Sequence, residues 1–243
     1  MLNTTIQYLG HASLKIICPE NKTILVDPWL TSNPMLPPNL KEQQADLILI
    51  THGHFDHMDL QALRELATQQ PLIIANPVCK WYLIEHGIEA GLFVDINIGG
   101  TVTTSGVQVT MVQAHHISYI PVAGKGISYP HEASGFVITL SDGFTLYVAG
   151  DTGVFADMRT IGEVYHPQVA ILPIGDIYTM GPREAAYAIK LLQVTHVIPY
   201  HYGTFPSLTG TPEELRNQCA DMEGLQIHEL RPGEMVSTLL LKL

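Results

Sequence analysis

Residues 51–57, Thr51-His52-Gly53-His54-Phe55-Asp56-His57, hold three imidazoles and one carboxylate within six positions. They follow a short apolar run at 46–50 that is typical of a buried strand. Alternate side chains of an extended chain leave on one face, so His52 and His54 are predicted to point into one cavity. Asp56 and His57 come where the chain must turn, and they are expected to face another wall of that cavity. Zinc takes such nitrogen and oxygen ligands at about 2.0–2.2 Å, so the stretch favours a metal site over a polar loop rich in histidine.

The H-x-H-x-D-H pattern resembles the signature of the metallo-β-lactamase superfamily. The resemblance runs over nearly the whole chain and includes the stretches at 150–153, 172–176, 178–182 and 199–206. These stretches are similar to a branch of small metal-dependent hydrolases that resembles ascorbate-6-phosphate lactonase. The resemblance implies an α+β fold, the αββα sandwich of two mixed sheets flanked by helices, and it implies a metal-dependent hydrolase.

The composition limits the classes of partner. The chain has 12 basic and 23 acidic residues and a net charge of −11, which argues against nucleic acid because that partner needs a basic stripe. Two divalent cations would offset about four of these charges at the site, so the expected substrate is a small molecule, polar or anionic. The three cysteines lack a C-x-x-C pairing and are interpreted as reduced thiols.

No signal peptide and no apolar run long enough for a membrane span stand out in the sequence. We therefore expect a cytoplasmic protein without membrane association, while the oligomeric state stays open. No linker or repeat divides the chain, so residues 1–243 are interpreted as a single hydrolase domain.

Strands and helices alternate along the chain. Strands are predicted at 4–17 (two short strands or one bent strand), 23–26, 46–50, 72–75, 102–112 (a hairpin broken at 105–106), 135–140, 144–149, 169–172, 196–199 and 226–230. Helical patterns occur at 60–66, 78–86, 182–192 and after the capping box formed by Thr211 and Glu214. Residues 117–134 have little periodicity and several glycines and prolines, which predicts a long loop acting as a substrate lid.

The resemblance also implies a set of metal ligands. His52, His54 and His116 would hold the first ion, and Asp56, His57 and His201 the second, with Asp151 between the two. Asp56 is also the candidate catalytic residue.

Two of these ligands have alternatives. The branch has an Ala-x-His-Ser pattern, which Ala114-His115-His116 fits with Ile117 in place of the serine; this favours His116, and His115 is the alternative. Asp151 could instead cap a following helix.

Five further residues are candidates for the pocket or for support of the ligands. His11 is either a pocket residue or a structural histidine, and Asp27 either orients a ligand imidazole or forms a turn before Pro28. Lys125 and His131 could reach the pocket from the predicted lid. The remaining candidate, at the end of the 172–176 motif, is Asp176.

The predicted chemistry is hydrolysis of a small ester, lactone or phosphoester by a metal-bound hydroxide. Zinc is the first choice for the two divalent ions because of the histidines, and manganese is the second. A nucleic-acid phosphodiesterase of the same superfamily and a non-catalytic metal-binding module are the alternatives.

Overall fold

Two mixed β-sheets form the centre of this computed structural model. It describes residues 4–122 and 125–241, and for residues 121–128 no side chain is described. The first sheet has six strands, whose spatial order is β13-β1-β2-β3-β4-β5. Its strands are β1 (Thr5–Gly10), β2 (Ser13–Ile17), β3 (Thr23–Val26), β4 (Leu47–Ile50), β5 (Leu72–Ala75) and β13 (Met235–Ser237).

The second sheet has seven strands in the order β12-β11-β10-β9-β8-β7-β6. Its strands are β6 (Thr101–Thr104), β7 (Val107–Val122), β8 (Lys125–Thr139), β9 (Thr145–Val148), β10 (Val169–Pro173), β11 (His196–Tyr200) and β12 (Gln226–Ile227). Five α-helices occur in the described residues, α1 (Leu60–Ala67), α2 (Pro77–Glu85), α3 (Met158–Tyr165), α4 (Pro182–Leu192) and α5 (Pro212–Gln218). Short 3-10 helices lie at Pro38–Leu40 and Ala90–Leu92.

Three hydrophobic clusters show the layer order. The central one joins inward-facing residues of both sheets, such as Leu49 and Phe136. A second packs the other face of the second sheet against α3, α4 and α5, and a third packs the first sheet against α1 and α2. Within β4, Leu47 and Leu49 enter the central cluster while Ile48 and Ile50 face the helices, as strand alternation requires. This confirms the predicted αββα sandwich.

The long loop predicted at 117–134 is wrong. Residues 117–122 and 125–134 continue β7 and β8 as a two-stranded ribbon, with Tyr119 opposite Pro130 and Val122 opposite Lys125. The described pairings of β6 and β9 do not reach this part of the ribbon. Pro130 is tolerated there because an outer strand edge needs no N–H donor. The described glycines and prolines of this stretch therefore lie within the ribbon and do not end its strand pairing.

Several smaller predictions hold, and two elements were missed. The turn at Ser105-Gly106 joins β6 to β7, residues 4–17 form two strands, and the capping box of Thr211 and Glu214 starts α5. The strand predicted at 226–230 is limited to the two residues of β12, and α3 and β13 were not predicted. All three cysteines are buried and free of disulfides, as the sequence predicts. No described helix has the length and hydrophobicity needed to cross a membrane.

Candidate metal centre

One group of four potential ligands combines residues after β4 with residues from the second sheet. It consists of His52, His54, His116 and Asp151, whose ligand atoms all lie within 4.8 Å of one another. His54 Nδ1 lies 3.0 Å from His52 Nε2 and 3.3 Å from His116 Nε2. We call this group the first cluster.

A second group lies beside it and includes a residue from the turn between β1 and β2. Its members are His11, Asp56, His57 and His201, again with ligand atoms within 4.8 Å of one another. His11 Nε2 lies 3.0 Å from Asp56 Oδ2, and His11 Nδ1 lies 2.8 Å from the Thr204 hydroxyl. We call this group the second cluster.

Asp151 lies between the two clusters. Its Oδ1 is 3.2 Å from His57 Nε2, and its Oδ2 is 3.3 Å from His201 Nε2. The same Oδ2 is 3.9 Å from His52 Nε2 and 3.8 Å from His116 Nε2. One carboxylate therefore reaches imidazoles of both groups.

Strand ends and one irregularity in β7 present these side chains. The register of β7 against β8 shifts between Gln113 and Ile117, so extra residues bulge out at this point. The bulge aims the His116 imidazole into the first cluster. His115 is exposed, and its backbone bonds to the Thr152 hydroxyl and to Gly153 N–H.

The glycine inside H-G-H lets the ribbon approach the motif closely. A Cβ on Gly53 would lie 2.4 Å from Ile120 Cγ1 and 2.9 Å from the ring of His131. Gly53 N–H donates to His131 Nε2 at 3.1 Å. His131 therefore supports the backbone of the motif from behind.

Asp27 fixes the orientation of two imidazoles. It is fully buried, and its Oδ2 lies 2.8 Å from His57 Nδ1, which must donate because a carboxylate only accepts. The Thr51 hydroxyl donates to the same Oδ2 at 2.6 Å and therefore accepts from His52 Nδ1 at 3.0 Å. Both histidines are thus left with Nε2 facing the centre, the arrangement in which outer partners prepare metal-binding imidazoles.

Most imidazoles of the centre stay neutral near pH 7. Burial lowers the pKa of His52 well below its usual range and lowers the pKa values of His54 and His11 to about 4 each. Burial also lowers the pKa of His116. A neutral imidazole keeps the lone pair that a metal ion requires.

The carboxylates of the centre are ionised. Burial opposes ionisation of Asp151, but His201 and His57 beside it hold its pKa well below the usual range. Burial likewise opposes ionisation of Asp56, yet the hydrogen bond from His11 and the charge of His57 lower its pKa to about 2. These ionised oxygens and the neutral nitrogens of His11, His52, His54 and His116 are groups suited to divalent ions, whereas, against the effect of burial, Asp151 and Asp27 raise the pKa of His57 between them well above its usual range.

Several buried atoms of the centre lack a hydrogen-bond partner among the residues that the structure describes. They are His57 Nε2, Asp151 Oδ1 and both ring nitrogens of His201. Buried polar atoms without partners are costly, and here they lie among the metal-binding groups. The residues present therefore fit bound metal.

Comparison with known proteins identifies the family. The model of the Beta-lactamase superfamily domain matches residues 22–202. The chain belongs to the β-lactamase superfamily. A UPF0173 metal-dependent hydrolase of Rubrobacter xylanophilus is 45% identical to this chain over 233 residues, and the match covers 95% of each chain. A UPF0173 metal-dependent hydrolase of Chloroflexus aurantiacus is 44% identical over 243 residues, and the match covers 97% of this chain and 98% of the other. The solved structure of Igni18, described as a novel metallo hydrolase from Ignicoccus hospitalis, is 32% identical, has a TM-score of 0.81, and covers 97% of this chain and 98% of that one. The chain is accordingly a metal-dependent hydrolase of this superfamily.

The hydrolase has a cavity of about 700 Å³ above the two clusters. It is lined by His54, Phe55, Asp56, His116, Ile117, Tyr119, Asp151, Tyr178, His201, Phe205 and Ser207. The lining combines ligand atoms from both clusters with large apolar side chains, so a bound molecule would touch both.

Asp176, whose side chain the structure describes, is not brought to the centre. Asp176 is exposed, and its carboxylate accepts from Ile177 N–H at 2.7 Å, so it stabilises its own turn. Lys125 begins β8, but its side chain lies outside what the structure describes. Thr51 and Thr204 were missed because a lone threonine gives no signal of its role in the sequence.

Proposed function

We propose that the chain is a two-metal hydrolase acting on a small ester, lactone or phosphoester. The observation that carries the proposal is the position of Asp151, within 3.9 Å of imidazoles from both clusters. A carboxylate so placed can serve two ions, whereas a single tetrahedral ion would leave half of the donor set unused. A single domain would carry this site, because Ile6 and Leu241, which are far apart in the sequence, both lie in the central hydrophobic cluster.

His52, His54 and His116 would hold one ion, and Asp56, His57 and His201 the other, with Asp151 shared. His11 belongs to the same group of ligand atoms, and its hydrogen bond from Nε2 to Asp56 Oδ2 would hold that carboxylate in place beside the second ion. Zinc is the first candidate for both positions because imidazoles dominate the set, and manganese is the second because of the carboxylates.

When bound, the two ions supply Lewis acidity, which polarises the scissile group and lowers the pKa of water. The chain's own residues prepare the site for this. Asp27 accepts a hydrogen bond from His57 Nδ1, and the Thr51 hydroxyl accepts one from His52 Nδ1, so each ring turns its Nε2 toward the centre. With a pKa of about 2, Asp56 remains an anion near neutral pH, which suits a ligand and makes it a weak proton acceptor.

A polar or anionic scissile group fits this centre because the ions attract electron-rich atoms. A long nucleic acid would need many phosphate contacts spread over the surface. The chain has 12 basic residues against 23 acidic ones, which disfavours such contacts.

The test combines metal counting with a substrate panel. Protein stripped by chelation is titrated with Zn²⁺ and with Mn²⁺ and offered lactones, carboxylic esters, phosphodiesters and single-stranded RNA. We expect two ions per chain and metal-dependent hydrolysis of at least one small-molecule class, with Asp151→Asn losing both the second ion and the activity.

Saturation at one ion with full activity would refute the two-metal mechanism. RNA cleavage abolished by Asp151→Asn would replace the small substrate with a nuclease substrate. Tight metal binding without any hydrolysis would favour the non-catalytic module.

A further inference from the structure

The cavity above the centre has mainly apolar walls. Five of its lining side chains are aromatic or aliphatic, namely Phe55, Ile117, Tyr119, Tyr178 and Phe205. Among the lining residues that the structure describes, none is a lysine or an arginine. Within this described lining, the bound ions would be the cations that meet a substrate, and the walls beyond them would meet apolar groups.

These walls come from different parts of the chain and flank both clusters. On one side, Tyr119 from β7 lies edge-on to His54, with ring centroids 5.2 Å apart. On the other side, Phe205 lies with its ring centroid 5.5 Å from that of His11. Trp29 packs behind this second wall, with its ring centroid 5.7 Å from that of Phe55 and 6.1 Å from that of Phe205. An apolar surface thus adjoins each metal position.

Several of these side chains are unusually exposed for their type. Ile117 is 85% exposed, Phe55 66% and Tyr178 59%. Contiguous exposed apolar surface is uncommon on soluble proteins and marks places where a ligand or partner is bound. Ile117 directly follows the proposed ligand His116, so the chain presents an exposed apolar group beside this position.

We infer that the preferred substrate carries an apolar, ring-bearing substituent next to the bond that is cleaved; this inference rests on the proposed hydrolase function. The electron-rich scissile group lies over the two clusters, and the ring packs against Ile117 and Tyr178. The cavity volume of about 700 Å³ is ample for such a molecule, since small-molecule sites span roughly 300–1,000 Å³. Water attacks the acyl carbon or phosphorus, the bond to the leaving oxygen breaks, and that oxygen takes the proton released by the water.

The experiment varies the substituent while keeping the reacting bond. Metal-loaded protein is offered γ-phenyl-, γ-methyl- and γ-carboxy-γ-butyrolactone, together with phenyl-, methyl- and carboxy-substituted members of one ester and one phosphodiester series. Each kcat/KM is divided by the rate of alkaline hydrolysis of the same compound, which removes differences in intrinsic reactivity. We expect the phenyl member to exceed the other two by about tenfold or more, because each methylene-sized apolar contact contributes about tenfold or more.

Variants connect this preference to the wall. Ile117→Ser and Tyr178→Ser should reduce the phenyl-to-methyl ratio of kcat/KM by about fivefold or more, because each removes apolar contact surface. Val164→Ser is the matched control, since Val164 is 59% exposed on α3 and does not line the cavity. The control should keep the wild-type ratio.

A binding measurement makes the inference independent of turnover. Calorimetric titration with 4-phenylbutyrate and with glutarate should show about tenfold tighter binding of the phenyl acid and a negative heat-capacity change. Hydrolysis that favours the methyl or carboxy member, or equal binding of the two acids, would overturn the inference while leaving the hydrolase intact. Tighter binding of 4-phenylbutyrate without hydrolysis of any series would instead refute the proposed function and retain the apolar preference.

Discussion

Replacing Asp27 tests how the centre prepares its imidazoles. Asp27 Oδ2 accepts from His57 Nδ1 at 2.8 Å and from the Thr51 hydroxyl at 2.6 Å, while Oδ1 accepts from Thr51 N–H at 2.8 Å. Asp27→Asn keeps the shape but turns one of these two acceptors into a donor. If the amide nitrogen replaces Oδ2, it faces the proton on His57 Nδ1; if it replaces Oδ1, it faces Thr51 N–H. Either orientation sets donor against donor.

The expected loss of metal affinity depends on which imidazole has its metal-facing lone pair blocked by the substitution. With the amide nitrogen at the Oδ2 position, His57 moves its proton to Nε2, where the second ion would bind. Removing such an outer partner costs about 10–100-fold in metal affinity, or about 1.4–2.8 kcal/mol at 1.4 kcal/mol per tenfold. Thr51→Val should cost about tenfold at the first cluster, because there only His52 Nδ1 loses its acceptor. Thr51→Ser retains the hydroxyl and serves as the matched control.

The assay is competition with a chelator of known affinity, resolved into the two binding steps, with folding checked by circular dichroism of the metal-free variants. Asp27→Asn should weaken the second step most, Thr51→Val the first, and Thr51→Ser neither. Wild-type affinity in Asp27→Asn would refute the assignment of Asp27 as the residue that orients His57. Equal losses in Thr51→Ser and Thr51→Val would show that the hydroxyl has no part in orienting His52.

Three other outcomes are expected. His116→Ala should lose metal and activity while His115→Ala keeps most of both, measured as ions per chain and as hydrolysis rate; the reverse result would move the ligand to His115. Chelation should abolish hydrolysis and lower Tm, and added Zn²⁺ or Mn²⁺ should restore both, because an ion that binds only the folded chain stabilises it; an unchanged Tm would contradict this. Burial lowers the pKa values of His196 and His228, so the folded protein binds fewer protons than the unfolded chain and stability falls as the pH drops below about 6.5. When the pH is lowered from about 8 to about 5.5, the Tm of chelated His228→Gln should therefore fall less than the Tm of chelated wild type. An equal or larger fall in the Tm of the variant would refute this direction of the pH dependence.

The buried strand β4 and the ligands that follow it could be predicted because the signals are local, whereas the αββα layer order was implied by the family resemblance. The apolar run of β4 and the histidines after it are adjacent in sequence, so one stretch specifies both a buried strand and its ligands. The ribbon was mispredicted because its prolines and glycines are read as breaks. Proline is excluded from paired strand edges but tolerated on outer ones, and the edge that a residue occupies depends on the rest of the sheet.

The position of His11 could not be derived from the sequence for a similar reason. It becomes part of the second cluster because the β1–β2 turn meets the end of β11, where His201 N–H donates to the His11 carbonyl at 2.7 Å. The two residues are far apart in the chain, and no local pattern connects them. A lone histidine after a glycine is compatible with a structural role as well as with a metal-binding one.

Three residues of the centre have a strained backbone. His11, Asp27 and His201 have φ values of 57°, 46° and 54°, in the left-handed region that residues with a Cβ rarely adopt. Such conformations cost about 1–3 kcal/mol each and persist only where surrounding structure holds them. Here the restraints are the backbone bond between His11 and His201 and the three hydrogen bonds accepted by Asp27. The same contacts hold the second cluster's imidazoles in place before any ion binds. The free energy needed to organise the site is therefore part of the folding free energy and is not subtracted from the free energy of metal binding.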